Sequence, residues 1–257
     1  MNASPTEPVE ESKMTNSTLS SMPERVLIVF AHPDDETWMN GTVAKIASQN
    51  NQLHLIYATS GDKGDDVSGQ NLKDQKLATV REQETLEALK SLGVDKNVEF
   101  LRFPDSDLHN AVFPLAQKIK TRIDSIDPQL VITFGPGGVT GHTDHIAAGL
   151  ATQLAFDQSS RPSILYNIAI SQDRVDVLSR ASEKYGIDQY RPVEQVSALT
   201  TLKVDVARQT ELRKKSLHAH KTQFPEPLVR AWADFVEVSK YEEFIVSRHR
   251  GGNLGLE

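Results

Sequence analysis

The chain has 257 residues, a formal net charge of −7 at pH 7 and no cysteine. Its length suits one sizeable α/β domain, and a content of 38% hydrophobic and 25% charged residues can form a packed core. The acidic balance argues against a general nucleic-acid binder, and the lack of cysteine excludes disulfides, thiolate zinc sites and cysteine nucleophiles. Any transition-metal site must therefore be built from His, Asp and Glu.

The first 22 residues are rich in Ser, Thr, Pro and Glu, which predicts a flexible polar tail ahead of a single domain over residues 23–257. This segment has neither a basic start nor an apolar stretch, so no signal peptide is predicted. No window reaches the roughly 18 apolar residues of a membrane span. We therefore expect a cytoplasmic protein that does not act at a membrane.

Short apolar runs then alternate with segments of helical spacing. Strands are predicted at 25–30, 52–60 and 98–103, and residues 127–138 predict a fourth strand that runs into a glycine loop. Helices are predicted at 37–49, 77–93, 111–126 and 143–157. Later segments are less regular, with strands predicted at 163–170 and 199–206, a helix at 207–223, and irregular chain at 171–197. This order predicts a Rossmann-like α/β fold, in which a mostly parallel sheet carries helices on both faces.

A polar loop follows each of the first four predicted strands. These loops read AHPDDE (31–36), GDKGDD (61–66), FPDSD (103–107) and GPGGVTGHTDH (135–145). Ligands of parallel α/β sheets bind at the carboxyl ends of the strands. The four loops therefore predict an active site at the C-terminal rim of the sheet.

The AHPDDE loop carries side chains that suit a metal ion. His32 and Asp35 offer an imidazole and a carboxylate, both of which bind Zn²⁺. The adjacent carboxylate of Asp34 could then take a proton from a metal-bound water. In the alternative interpretation, Asp34 or Asp35 caps the following helix and Glu36 favours its first turn.

The GHTDH segment supplies further ligands. His142 and His145 are three residues apart, so at a helix start they face the same side. A metal bound by His32, Asp35 and His145 would keep its fourth position for water or substrate, as catalytic zinc sites do. His142 would be a fourth ligand or an acid that hydrogen-bonds an oxyanion. Two solvent-exposed helix histidines are the alternative, and a His₂Asp set also suits Fe²⁺.

Two further segments have simpler interpretations. The glycine-rich GPGGVTG (135–141) lacks the lysine and the residue order of a phosphate-binding loop, which favours a mobile loop at the mouth of the site, beside the substrate.

The basic segment RKKSLHAHK (213–221) is interpreted as a solvated helix face, with a rim contact to an anionic substrate group as the alternative.

Taken together, AHPDDE (31–36) and HTDH (142–145) make the chain resemble the LmbE-like, or PIG-L, family of zinc-dependent N-deacetylases. Weaker matches occur in the same order along the chain. They are GDKG (61–64), REQE (81–84), FPDSDL (103–108) and HKTQ (220–223). The resemblance covers about residues 24–224.

This resemblance implies a role for each matching residue. It makes His32, Asp35 and His145 the zinc ligands, Asp34 the general base, and His142 the group that assists the oxyanion or the leaving amine. By the same resemblance, Arg81 and Asp105 contact the sugar substrate. Asp144 is predicted to orient a histidine from behind, with a helix-capping role as the alternative.

The activity implied by the resemblance is removal of an N-acetyl group from a small-molecule GlcNAc-type conjugate, with release of acetate and a free amino sugar. It also implies a homo-oligomer. Two alternatives stay open, namely a metal-dependent amidohydrolase with a non-sugar N-acyl substrate and a non-catalytic protein that binds a metal or a sugar.

Overall fold

The computed structural model describes residues 17–18, 22–49, 52–187 and 202–251, which form one eight-stranded sheet and its surrounding helices. The strands are β1 Ser17–Thr18, β2 Arg25–Phe30, β3 Gln52–Tyr57, β4 Val98–Phe100, β5 Leu130–Phe134, β6 Ile164–Ala169, β7 Leu202–Asp205 and β8 Tyr241–His249. The helices are α1 Asn40–Ser48, α2 Asp74–Ser91, α3 Val112–Ile126, α4 Thr143–Asp157, α5 Gln172–Lys184, α6 Thr210–Leu217 and α7 Glu226–Val238. Short 3₁₀ helices cover Asp35–Met39, Leu108–Asn110 and Ala207–Gln209.

The sheet has the strand order β1-β7-β8-β6-β5-β2-β3-β4. Strands β2 to β6 pair in parallel, and only β8 runs antiparallel, to both β6 and β7. In the centre of the sheet, Val26 lies opposite Leu53 on one side and Leu130 on the other. The predicted α/β fold with a mostly parallel sheet is confirmed.

Helices cover the central strands. Nearly every residue of β2 and every residue of β5 is buried, which is the pattern of strands covered on both faces. Helices α3 and α4 pack against each other, while α1, α2 and α7 pack around α6. None of the helices that the structure describes is both long and apolar enough to cross a membrane.

The end of the predicted strand 98–103 differs from the structure. Strand β4 ends at Phe100, and Arg102 has a φ of 56°, in the left-handed region that a regular strand does not use. The backbone N–H groups of Leu101 and Phe103 still donate to Tyr57 and Ala58, at 2.8 Å and 2.9 Å. These bonds keep the chain beside β3 after β4 has ended, and Asp105 in the FPDSD loop lies 3.2 Å from His32 in the AHPDDE loop.

The predicted irregular segment 171–197 is wrong in part, because α5 occupies Gln172–Lys184. Residues 188–197 lie outside the described part of the chain. The predicted helix 207–223 is shorter than expected, since α6 ends at Leu217 and HKTQ follows in a turn. Of the predicted tail, Ser17–Thr18 pair with β7 and Met22 is buried; its other residues lie outside the described residues.

The buried carboxylate of Glu242, in strand β8, binds the start of α1, the helix that follows the AHPDDE loop in the sequence. Glu242 accepts the backbone N–H groups of Gly41 at 2.9 Å and Thr42 at 2.6 Å. The buried guanidinium of Arg213 lies 3.4 Å from Glu242 and donates to Asn40 Oδ1 at 3.1 Å. The carboxylate thus satisfies helix-terminal donors and a buried cation together.

Replacement of Glu242 by Ala should destabilise the protein by about 3–5 kcal/mol, because it leaves Arg213 buried without its charge partner. The free energy of unfolding from urea denaturation measures the loss. Glu237→Ala is the matched control, since Glu237 is exposed and pairs with Lys214 at the surface, which is worth about 0–1 kcal/mol. Equal losses in the two variants would contradict the assigned importance of the buried pair.

Candidate active site

An open cleft of about 700 Å³ lies at the carboxyl ends of the central strands. All four loops predicted to meet at this rim contribute to its lining, together with Gln223 and Phe224 from the turn after α6. The contributing residues of the four loops are His32, Asp34, Asp35, Gly61, Lys63, Gly64, Asp65, Asp105, Ser106, Thr140, Gly141, His142 and His145. The topology therefore concentrates imidazoles and carboxylates from distant parts of the sequence in one cleft.

Two carboxylates contact the Nε2 atom of the His32 ring. Its Nε2 lies 3.2 Å from Asp105 Oδ1 and 3.3 Å from Asp144 Oδ2, which leaves Nδ1 on the side of Asp35, 3.8 Å from Oδ2. Burial alone would lower the pKa of His32, but the hydrogen bonds to Asp105 and Asp144 raise it to about 10. Metal-binding histidines commonly donate their second N–H to a carboxylate in this way.

Asp144 lies at the start of α4 and is fully buried. It accepts the backbone N–H groups of Ser106 at 2.7 Å and Leu108 at 3.1 Å in addition to its contact with His32. These partners belong to the loop after β4, so the carboxylate does not cap its own helix. Its predicted role in orienting a histidine rests on the contact with His32.

His145 is fixed by a backbone carbonyl. Its Nδ1 lies 2.8 Å from the carbonyl oxygen of Gly138, an acceptor, so Nδ1 carries the proton. Its Nε2 is 3.0 Å from Asp35 Oδ1, and the ring stacks on Phe134 at 4.1 Å. A nitrogen lone pair and a carboxylate oxygen at this distance require a cation between them, either a proton or a metal ion. The alternative of a solvent-exposed helix histidine does not hold for His145, which is buried.

Gly138 needs to be glycine for this contact. Its φ is 62°, and a Cβ at this position would lie 2.9 Å from the Cβ of His145. The glycine-rich loop 135–141 therefore brings its backbone against a predicted metal ligand. Its predicted mobility is not tested by these contacts.

The carboxylate of Asp35 is buried and held by backbone donors. The N–H groups of Ala31 and His32 donate to Oδ2 at 3.0 Å and 2.7 Å. Burial opposes ionisation, but the charges of His145 and His32 and these bonds hold the pKa of Asp35 below its usual value. The helix-capping interpretation fails here, because Asp35 binds the loop that precedes the turn, and Asp34 at the N-cap makes no side-chain capping bond.

Asp34 lines the cleft from a strained backbone position. Its φ of 93° lies in the left-handed region, where a residue with a side chain is uncommon. Burial, followed by the charge of Asp35, raises the pKa of Asp34 to about 7. A carboxyl group with a pKa near neutrality can both accept and return a proton.

His142 occupies the N-cap of α4 at the mouth of the cleft. Its Nδ1 accepts the backbone N–H of Asp144 at 3.1 Å, so the neutral ring carries its proton on Nε2. His142 is exposed, as the alternative interpretation expected, but partial desolvation of its ring, followed by the charges of His32 and His145, lowers the pKa of His142 and favours this neutral form. One ring nitrogen from each of His32, His142 and His145 lies within 4.8 Å of the other two, and so do a ring nitrogen of His32 and one carboxylate oxygen each of Asp105 and Asp144. Neither group includes Asp35 of the predicted ligand set. Both sets are suited to a metal ion.

Arg81 and Asp105, the predicted sugar contacts, both line the cleft but already bind protein atoms. Arg81 is buried and donates to the carbonyl oxygens of Gly61 at 2.6 Å and Asp65 at 2.9 Å. Asp105 Oδ2 accepts the backbone N–H of Lys63 at 2.8 Å, while Oδ1 faces His32. Both residues thus organise the loop 61–65, and their contact with substrate stays a prediction.

The turn after α6 contributes residues that had no assigned role in the sequence. Gln223 and Phe224 line the cleft, and His220 is fully buried against Glu36 at 2.6 Å. The HKTQ match was the available signal for them. The basic segment 213–221, all of which is described, lines no part of the cleft; Arg213 is buried and Lys214 pairs with Glu237. A rim contact between this segment and an anionic substrate is therefore not supported.

Comparison with known proteins identifies relatives of this sequence and structures with the same fold. A protein from Actinosynnema mirum, 1D-myo-inositol 2-acetamido-2-deoxy-alpha-D-glucopyranoside deacetylase, is 28% identical over 242 residues, covering 82% of this chain and 83% of that protein. The structure of N,N'-diacetylchitobiose deacetylase from Pyrococcus horikoshii superposes with a TM-score of 0.63 at 21% identity, covering 88% of this chain and 84% of that one.

A zinc-inhibited form of the teicoplanin deacetylase Orf2 shares the fold with a TM-score of 0.61 at 16% identity, covering 86% of this chain and 96% of that one. The sequence also matches the family model described as GlcNAc-PI de-N-acetylase over residues 27–156, just over half of its length. The chain belongs to the PIG-L, or LmbE-like, deacetylase family.

Proposed function

We propose that the protein is a metal-dependent hydrolase that removes the N-acetyl group of a GlcNAc-type conjugate and releases acetate and a free amino sugar. The observation that supports it most is the convergence of His32, Asp35 and His145 beside Asp34 in one cleft. The relatives agree in chemistry, since the Actinosynnema protein deacetylates an inositol-linked 2-acetamido sugar and the Pyrococcus protein deacetylates diacetylchitobiose.

The donor atoms fit a metal ion. Two ligand atoms on a tetrahedral zinc ion lie about 3.4 Å apart when each bond is about 2.1 Å. His145 Nε2 lies 3.0 Å from Asp35 Oδ1, and His32 Nδ1 lies 3.8 Å from the other oxygen, Oδ2, so the two distances lie on either side of this value and use one carboxylate oxygen each. Both rings hold their other nitrogen against a protein oxygen, which leaves His145 Nε2 and His32 Nδ1 for the metal. We propose Zn²⁺, and the same donor set suits Fe²⁺.

When bound, the metal would polarise the acetyl carbonyl group and lower the pKa of water. Asp34 would accept the proton of the attacking water, and that proton would leave with the amine. His142 would donate its Nε2–H to the developing oxyanion, because its Nδ1 already accepts the N–H of Asp144. Asp105 and Asp144 would hold the ring of His32 in its binding orientation.

The lining of the cleft combines aromatic and charged side chains, which suit the apolar and polar groups of a sugar ring. Trp38 and Phe224 are among the lining residues, and both pack on the buried Trp232, at 5.1 Å and 6.4 Å between ring centroids. Lys63 and Asp65 provide charged groups on the loop after β3. Aromatic side chains held in this way give a rigid apolar surface.

Acetate release from a panel of substrates tests the proposal. The protein is purified both aerobically and anaerobically, its zinc and iron content is measured, and each preparation is given N-acetylglucosamine conjugates and simple N-acyl amines. We expect acetate from the sugar conjugates and about one metal ion per chain. Turnover of the simple amides alone would contradict the sugar substrate, and metal binding without turnover of any substrate would favour a non-catalytic protein.

A further inference from the structure

Gln223 lies beside the turn that carries Asp34, and the orientation of its side-chain amide decides whether an oxygen or an NH₂ group faces Asp34. In one orientation the amide oxygen faces two acceptors, the carbonyl oxygen of Pro33 and the carboxylate of Asp34. In the other, the NH₂ group donates to Pro33 O at 2.9 Å and to Asp34 Oδ2 at 3.3 Å, and the amide oxygen accepts from His220 Nδ1 at 3.2 Å. Only the second orientation satisfies all of these groups.

That orientation requires a proton on Nδ1 of His220. The other ring nitrogen, Nε2, lies 2.6 Å from Glu36 Oε1, and both side chains are fully buried. Tyr57 donates its hydroxyl proton to Glu36 Oε2 at 2.9 Å, which leaves Oε1 for the hydrogen bond with His220 Nε2. With Nε2 held by Glu36, Nδ1 is the ring atom that donates to the amide oxygen of Gln223.

The pKa of His220 also favours a protonated ring. Burial alone would lower the pKa of His220, but the charge of Glu36 and the hydrogen bond to it outweigh burial, so the pKa lies above its ordinary value. Burying an ion pair without water is favourable only when its remaining donors and acceptors are bonded. Tyr57 and Gln223 supply these bonds.

We propose that Gln223 is a positioning residue for Asp34 and that His220, held in place by the buried Glu36, fixes the direction of its amide. The inference rests on the proposed function, in which Asp34 is the base. Gln223 holds the carbonyl group just before Asp34 and one oxygen of its carboxylate. It thereby supports a residue whose backbone, at a φ of 93°, is strained.

Gln223→Glu is the sharpest test, because it keeps the size of the side chain and an acceptor for His220 but removes both donors to the Asp34 turn. We expect kcat for acetate release to fall about 10²-fold, as displacement of a reacting group by about 1 Å does, with KM and metal content close to wild type. Gln117→Glu, on the exposed side of α3, is the matched control and should keep the wild-type kcat. An unchanged kcat in Gln223→Glu would overturn the inference.

The protonation state of His220 is a second readout that does not depend on activity. In ¹⁵N spectra of the metal-loaded wild type, assigned by comparison with His220→Asn, Nδ1 of His220 should carry a proton. A neutral ring with a proton on Nε2 alone would overturn the inference, since Gln223 would then present its oxygen to Asp34. These spectra need no substrate, whereas a wild type that releases no acetate from any conjugate would overturn the proposed function instead.

Discussion

Asp34→Asn is expected to lower kcat for acetate release by about 10²- to 10⁴-fold while leaving the metal content at the wild-type level. The amide keeps the size of the carboxylate but cannot take a proton from water. Asp34 also lies outside the proposed ligand set, whose contacts involve Asp35, His32 and His145. The measurement pairs steady-state kinetics on an N-acetylglucosamine conjugate with metal analysis of the same preparation.

Asp95→Asn is the matched control for this experiment. Asp95 is exposed in the segment between α2 and β4, at the amino end of the sheet and outside the cleft. It should keep the wild-type kcat. Full activity in Asp34→Asn would remove Asp34 from the role of base, and loss of metal from that variant would show that Asp34 belongs to the metal site.

His145→Ala has a second large expected effect, the loss of both metal and activity. The substitution removes the ring nitrogen that faces Asp35 at 3.0 Å and leaves a buried carboxylate without its cation. Three protein ligands are the minimum that catalytic zinc sites use, so two ligands should bind the ion weakly. Metal content after dialysis and calorimetric titration with zinc would measure the loss.

His218→Ala is the control for the loss of one histidine, because His218 is exposed at the end of α6 and lies outside the cleft. It should bind metal as the wild type does. Wild-type metal content in His145→Ala would contradict the ligand set and would favour the alternative group of His32, Asp105 and Asp144.

The sequence predicts the central sheet and the rim loops well because these depend on local patterns. RVLIVF forms β2 as a continuous apolar run, and both faces of that strand are buried. HTDH starts α4 where the spacing of its histidines predicts a helix start. Strand order then determines that the loops after β2 and β5 are neighbours, since these two strands pair directly.

Residues whose partners are distant in the sequence could not be assigned in this way. Glu36 was expected to favour a helix start, but it binds Tyr57 and His220, which are 21 and 184 residues away. Strand β8 was not predicted, because its adjacent glutamates are typical of an exposed segment. Both are buried, since Glu242 binds the start of α1 and Glu243 accepts the N–H of Ser171.

The same limit applies to Asp105. The family resemblance implied a sugar contact for this residue, and no local pattern indicates that one of its oxygens faces His32. Helix α7 was not predicted either, although Leu228, Trp232 and Phe235 recur every three to four residues and are all buried.

A metal titration tests the central claim most directly, namely that one metal ion held by His32, Asp35 and His145 is required for hydrolysis. The wild type is stripped with a chelator, dialysed, and titrated with zinc, or anaerobically with ferrous iron, while bound metal and acetate release are both measured. We predict no turnover in the stripped protein and recovery that rises with bound metal up to about one equivalent per chain. Undiminished acetate release from the metal-free protein would contradict the account.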